Sequence, residues 1–281
     1  MATVMSKTEP TEHPARNLGL HAFLVVLSLA MILPFVWMFL MSLKTLAEVG
    51  DPDWLPAAPQ WHNYVEVFHI IPFLRFMSNS LMVAGWVTLL QVITSSMAAF
   101  SFSRLNWPGR DRVFFLYLGT MMLPGLVMLL PNFENMVRFG LVDSYLGLIL
   151  PGAFSAFGTF LLRQFMLGIP QALDEAAEMD GATKWQIFWN VVLPLSRPGL
   201  VTLAIFTFMG NFQSFFWPLV MTKSVDKYTL PVGLLLFDSE RGQSTHLLMA
   251  GVTMSVVPLI IVFVLLQRQL ISGIQIGGVK G

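Results

Sequence analysis

Four carboxylates, Asp174, Glu175, Glu178 and Asp180, fall within seven residues of one another in a 281-residue chain of which only 11% is charged. Acidic side chains so grouped beside small residues suit a protein contact, and the residues for metal or intramembrane proton chemistry are missing elsewhere. His13, His21, His62, His69 and His246 are scattered, none near the middle of an apolar run, and no H-E-x-x-H is present to hold zinc. There is no cysteine, which excludes thiol nucleophiles, disulfides and cysteine-ligated metals. G-x-x-x-x-G-K-[ST] is absent, so the chain cannot by itself cradle the phosphates of ATP, and G-x-S-x-G is absent too. What remains is mechanical. Ala172, Ala176 and Ala177 form a small-residue face that admits close approach by another protein, with Glu175 as its charge.

The elements that position this group are legible. Pro170 stands where a helix starts, and the carboxylates follow in its early turns, where the macrodipole favours negative charge. A short helix over about residues 171–179 is expected. Gly181 supplies a left-handed stop, and helical periodicity resumes from Ala182 to Leu193, ending at Pro194. In this second helix Trp185, Phe188, Trp189 and Val192 recur at three- and four-residue spacing and make one apolar face.

Around this loop the chain is built for lipid. It is 55% hydrophobic, against roughly 45–50% apolar and about 25% charged residues in soluble domains. Six windows lack Asp, Glu, Lys and Arg: 17–43, 76–103, 113–133, 144–162, 198–222 and 242–267; the next longest holds 12 residues, too short for a hydrocarbon core of about 30 Å. Six spanning helices are therefore expected. The first is about twice the length of a signal-peptide core, with no small-x-small cleavage site after it, and reads as retained. The 16 basic and 16 acidic residues cancel, giving no support to nucleic-acid binding. With no ionised group inside the windows, ion coupling is disfavoured.

Ten basic residues fall on the side of the termini and six on the other, and the tight loop Arg104 to Arg112 carries three arginines against one aspartate. This bias places both termini in the cytoplasm, with residues 1–17 and 271–281 as tails around a permease domain of 18–270. The outer segments are then 44–75, 131–143 and 222–245; in the first, Asp51, Pro52, Asp53, Trp54, Pro56 and Pro59 read as an ordered turn with Trp54 and Trp61 at the headgroup level. Pro34, Pro124, Pro151, Pro218 and Pro258 lie within windows, which fits either a wet cavity or the general frequency of proline in membrane helices. Asn132, Asn211, Gln213 and Trp217 are the candidates for contacting a polar solute, through directional hydrogen bonds and a stacking face.

The run Glu175-Ala176-Ala177, three residues, Gly181, nine residues, Val191, one residue, Leu193-Pro194 resembles the EAA loop of binding-protein-dependent ABC importer permeases. Ser78-Asn79-Ser80-Leu81, residues 95–104, Met121 to Gly125, Leu161 to Phe165 and Gly277 to Gly281 extend the resemblance to the carbohydrate branch, the maltose-permease MalG-like subunits. One departure stands in the fifth window, where Gly210-Asn211 replaces a Trp-Asn pair. The resemblance implies an all-α, six-helix type I importer (MetI-like) fold in the bacterial cytoplasmic membrane. It implies a second homologous permease, a dimer of ATPases holding ATP and Mg, an extracytoplasmic solute-binding protein and a sugar substrate, with no cofactor or catalysis in this chain. Glu175, Ala176, Ala177, Asp180, Gly181, Leu193 and Pro194, within the loop 163–197, would couple to the ATPase. The outer loop, with Asp226, Lys227, Tyr228, Asp238, Glu240 and Arg241, would meet the binding protein. A glycerol-3-phosphate or polyol cargo is equally compatible with these residues, and an ion-coupled secondary transporter is the rival from another class.

Overall fold

The computed structural model describes residues 14–239 and 244–278, with side chains described over 19–237 and 244–267. Among these residues the fold is entirely helical. Its long helices are Pro14–Ser42 (α1), Phe73–Arg104 (α3) and Thr245–Gly278 (α12); between the first two lies His62–Ile70 (α2). The middle of the chain is divided into shorter pieces: Arg110–Gly119 (α4), Leu129–Arg138 (α5), Tyr145–Ile149 (α6), Ala156–Leu167 (α7), Ala172–Met179 (α8), Lys184–Leu195 (α9), Arg197–Phe212 (α10) and Phe216–Met221 (α11).

The 32 residues of α3 reach about 48 Å, and α7 and α10 both pack along them. Close approach rests on small side chains. A Cβ on Gly158 of α7 would meet Ser95 Oγ of α3 at 2.6 Å and Leu203 Cδ1 of α10 at 3.1 Å, so glycine is what allows the three to converge. In lipid, where apolar surface gains little by burial against another helix, such packing and interhelical hydrogen bonds hold a bundle. Gln91 Nε2 donates to Thr207 Oγ1 at 2.8 Å between α3 and α10, and Thr94 Oγ1 donates to the Ala153 carbonyl at 2.6 Å.

Three apolar cores follow. One, around Phe76, Phe212, Leu230 and Leu247, joins α2, α3, α10 and α12; one at the other end of α3 gathers Phe100, Leu162, Met166, Phe188 and Leu203; the third, Val83, Val87, Leu148 and Met221, lies between. By contrast α1 packs along α12 and leaves Phe23, Val26 and Met31 uncovered, as a helix facing hydrocarbon would.

Three helices are long and apolar enough to cross a membrane, Gly19–Ser42, Phe73–Arg104 and Thr245–Gln267. The number rises to five if the bent pairs Tyr145–Ala153 with Ala156–Leu167 (43°) and Lys184–Leu195 with Arg197–Phe212 (75°) each count as one. The third apolar window does not form a single helix: α4 ends at Gly119, and α5 begins only at Leu129, after Leu123-Pro124-Gly125. Proline acts unevenly. Pro34 and Pro258 lie within continuous helices, whereas Pro151 lies in a 3-10 turn at a bend.

The segment between α1 and α2 is an ordered turn. Lys44 is buried, its Nζ donating to the carbonyls of Glu48 and Asp53, and Asn63 Nδ2 donates to the carbonyls of Ser42 and Lys44 at 2.8 and 2.9 Å. Trp54 and Trp61 remain exposed.

Candidate functional site: a docking helix and its anchorage

The two helices expected between Arg163 and Arg197 are present as α8 and α9. A paired-bond stop closes α8: Ala182 N–H donates to the Ala177 carbonyl at 2.9 Å and Gly181 N–H to the Glu178 carbonyl at 3.0 Å, with Gly181 at φ +83°. Ala177 and Ala182 both pack on the core below. The second helix starts at Lys184, two residues later than its periodicity indicated. Thr183 caps it, its Oγ1 accepting from Gln186 N–H at 3.3 Å and its own N–H donating to Gln186 Oε1 at 2.8 Å. The Thr-x-x-Gln spacing was a readable signal for this start.

Pro194 does not end α9. It lies inside the last turn, Leu193–Leu195, preceded by a π-helical turn over Phe188–Val192 that widens the backbone where proline contributes no N–H. The stop comes at Ser196, where the chain bends by 75° into α10.

Of the docking candidates, Glu175, Ala176, Asp180 and Gly181 are exposed, as is Pro194, while Ala177 and Leu193 turn inward onto the core around Phe188. The Glu175 carboxylate makes no hydrogen bond or ion pair among the described residues, while its backbone N–H donates to the Gln171 carbonyl at 3.1 Å. Of the neighbouring acids, Glu178 pairs with Lys184 and Asp174 with Arg104, while Asp180, just past the helix end, is exposed with no side-chain partner among the described residues. Met179 at 88% exposure and Leu173 add apolar surface beside Glu175. An uncovered helix that offers one free carboxylate, methyl-sized side chains and a few apolar groups is suited to a protein cleft.

Arg104, in sequence a topogenic charge and the last residue of the family-like run 95–104, is the anchor of this helix. Its Nη2 donates to the Met166 and Ile169 carbonyls at 2.6 and 2.8 Å, and its Nη1 lies 3.4 Å from Asp174 Oδ2. The ends of α3 and α7 and the first turn of α8 thus meet on one guanidinium. Burial raises the Asp174 carboxyl above the ordinary aspartate range, against the opposing charges of Arg104 and Lys184. Arg163 completes the corner, donating from Nε to the Phe102 carbonyl at 3.1 Å and stacking over the Phe114 ring at 4.2 Å.

At the opposite end of α3 the loop after α11 is tied down from three sides. Asn79, 5% exposed, donates from Nδ2 to the carbonyls of Asp226 and Tyr228 at 2.8 and 2.9 Å, Arg75 Nη1 pairs with Asp226 at 2.6 Å, and Asp143 accepts from Lys223, Ser224 and Lys227. Lys227 and Tyr228 are half-buried supports, and Lys223 to Asp226 form the exposed rim. Glu240 and Arg241 lie outside the described residues, as does the side chain of Asp238.

The four solute candidates do not converge within this chain. Asn211 lines a cleft of about 330 Å³ with Gln91, Phe157, Phe206, Thr207 and Gly210, whereas Gln213 lines a separate apolar cavity of about 300 Å³ beside Leu230 and Leu248. Trp217 donates from Nε1 to the Gly147 carbonyl at 3.2 Å and packs in the third core, and Asn132 is half-buried on α5. Gln91 was not read as a candidate, because one glutamine in an apolar window carries no local signal.

The sequence profile described as "Binding-protein-dependent transport system inner membrane component" matches residues 91–275, which takes in α7 to α10 and the whole docking segment. The chain belongs to that family. This permease is 35% identical over 270 residues to the arabinooligosaccharides transport system permease protein AraQ of Bacillus subtilis (strain 168), covering 94% of this chain and 96% of that one. It is 33% identical to the trehalose transport system permease protein SugB of Mycobacterium tuberculosis (strain CDC 1551 / Oshkosh), covering 89% and 93%. Among solved structures, a chain of a bacterial ABC transporter involved in the import of alginate superposes with a TM-score of 0.79 at 24% identity, over 94% of this permease and 99% of that chain. This likeness concerns the fold. The permease is thus a multi-pass inner-membrane component of an ABC importer, and ATP hydrolysis belongs to a separate subunit.

Proposed function

We propose that this permease pairs with a second, homologous permease to form the path of an ATP-driven importer for an oligosaccharide or related sugar. In this reading α8 is seated in a cleft of an ATPase that binds ATP and Mg, and the rim around Lys223 to Asp226 meets an extracytoplasmic solute-binding protein. The observation that carries it is the exposed, unpartnered Glu175 on a helix closed by Gly181 and braced from beneath by Arg104. The relatives named for arabinooligosaccharides and trehalose support the cargo class, and a fold relative is described in complex with an alginate pentasaccharide-bound periplasmic protein.

Six spans with both termini cytoplasmic fit best. The third is a broken one, α4 and α5 lying either side of Leu123-Pro124-Gly125, tolerated because backbone at that depth can be satisfied by neighbouring helices or a wet path. The permease's own solute contact is the cleft of Asn211 and Gln91, with Phe157 and Phe206 as walls. A glycerol-3-phosphate cargo is the second reading, favoured by 32% identity to the sn-glycerol-3-phosphate transport system permease protein UgpE of Yersinia pestis bv. Antiqua (strain Antiqua).

The test is detergent co-purification of the assembled importer with wild-type permease beside Glu175→Lys and Gly181→Asp. Loss of the ATPase from a membrane domain that still assembles supports the docking role. Undiminished ATPase binding in both variants overturns it.

A further inference from the structure

Only one polar link joins α8 to the long helix α3 among the described residues, the Arg104–Asp174 pair. Ala177 rests on the apolar core around Phe188, where methyl contacts oppose sliding only weakly, while Glu178 reaches only to Lys184 of α9. Arg104 itself cannot slide. It is the last residue of α3, its side chain is 4% exposed, and the two carbonyls it holds close the end of α7. A planar guanidinium with several fixed donors is suited to holding three elements in one geometry.

As a device for stability alone the pair is poorly made. Asp174 is 14% exposed and touches Arg104 at 3.4 Å through one oxygen, while its Oδ1 and the Arg104 Nε are buried without a hydrogen-bond partner. A half-satisfied buried ion pair gives less stability than an apolar contact of the same volume, and buried orphan polar atoms in a folded protein call for a reason beyond holding the fold. A charge contact beside an apolar seam supplies one. It resists shear where methyl groups do not.

We infer that Arg104 is the positioning residue that carries movement of α8 into α3 and α7, with Asp174 as its grip on the moving helix. The inference rests on the docking role of α8 given above. When an ATPase displaces α8, Asp174 pulls on the guanidinium, and the ends of α3 and α7 follow because the same group holds the Met166 and Ile169 carbonyls. Without the charge, α8 slips over the core around Phe188 and the spans stay behind.

The experiment is amide hydrogen exchange on the assembled importer, nucleotide-free and trapped with Mg-ATP and vanadate, for wild type, Asp174→Asn and Asp174→Glu. In the wild type, trapping changes exchange in α8 and also at residues 100–104 and 163–169. In Asp174→Asn the α8 response is retained and the response at those two helix ends falls by roughly fivefold or more, the scale of an ordinary coupling between sites. Asp174→Glu restores it. A purely structural role predicts altered exchange before nucleotide is added and an unchanged response to it, and that pattern overturns the inference. So does a full response in Asp174→Asn, loss of assembly in that near-isosteric variant, or failure of glutamate to rescue. Absence of any trapping response in wild-type α8 overturns the docking role together with this inference, whereas an α8 response with helix ends indifferent to Asp174 overturns this inference alone.

Discussion

Asp143 accepts two hydrogen bonds from Ser224, 81 positions away, its Oδ1 from the backbone N–H at 3.1 Å and its Oδ2 from the hydroxyl at 2.5 Å, while its own backbone is held at φ +55°. The Ser224 hydroxyl, then the N–H groups of Lys223 and Ser224, hold this carboxyl well below the usual carboxylate range. A depressed folded pKa contributes stability that is complete above the unfolded value of about 4 and is lost as pH falls below it. Thermal melting in detergent is expected to show Asp143→Asn less stable than wild type at pH 7, with the difference shrinking as pH is lowered below about 4.

Asn79 holds the same loop from the α3 side, through the Asp226 and Tyr228 carbonyls, while its Oδ1 accepts from Tyr145 at 3.0 Å. Asn79→Ala leaves the Asp226 and Tyr228 carbonyls and the Tyr145 phenol without that partner. A loss of about 1–3 kcal/mol is expected. Hydrogen exchange over residues 225–230 is expected to speed up while α8 keeps wild-type protection.

Two glycines predict opposite outcomes. A Cβ on Gly233 would overlap the buried ring of Phe76, whereas Gly210 has nothing within 4 Å of a Cβ and borders the cleft of Gln91 and Asn211. Gly233→Ala should destabilise by about 1–3 kcal/mol, the usual cost of overpacking. Gly210→Trp should melt like wild type yet change the rate or selectivity of uptake, measured with radiolabelled arabinotriose and trehalose in proteoliposomes.

Gly181 sits in the left-handed region with open space around it, so a side chain there meets backbone strain and no clash. Gly181→Ala should cost about 1–2 kcal/mol. Asparagine, which tolerates that conformation, should cost less; the order Gly, Asn, Ala is expected in both melting temperature and ATPase retention on co-purification.

Local sequence determined a good deal of this protein. The charge-free windows marked the apolar regions because an ionised group is costly in hydrocarbon wherever it falls, and Pro170 with Gly181 bounded α8 to within a residue because both act through their own backbone. Even the start of α9 was written in Thr183 and Gln186, three residues apart. Tertiary structure alone decided what those pieces hold. Arg104 and Ile169 are 65 positions apart and Asn79 and Asp226 are 147 apart, separations at which no periodicity or capping rule reports contact. It also decided that α9 passes through Pro194 and that the third apolar window breaks after Gly119, because the fate of a proline's freed carbonyl depends on neighbouring chain that the local sequence does not contain.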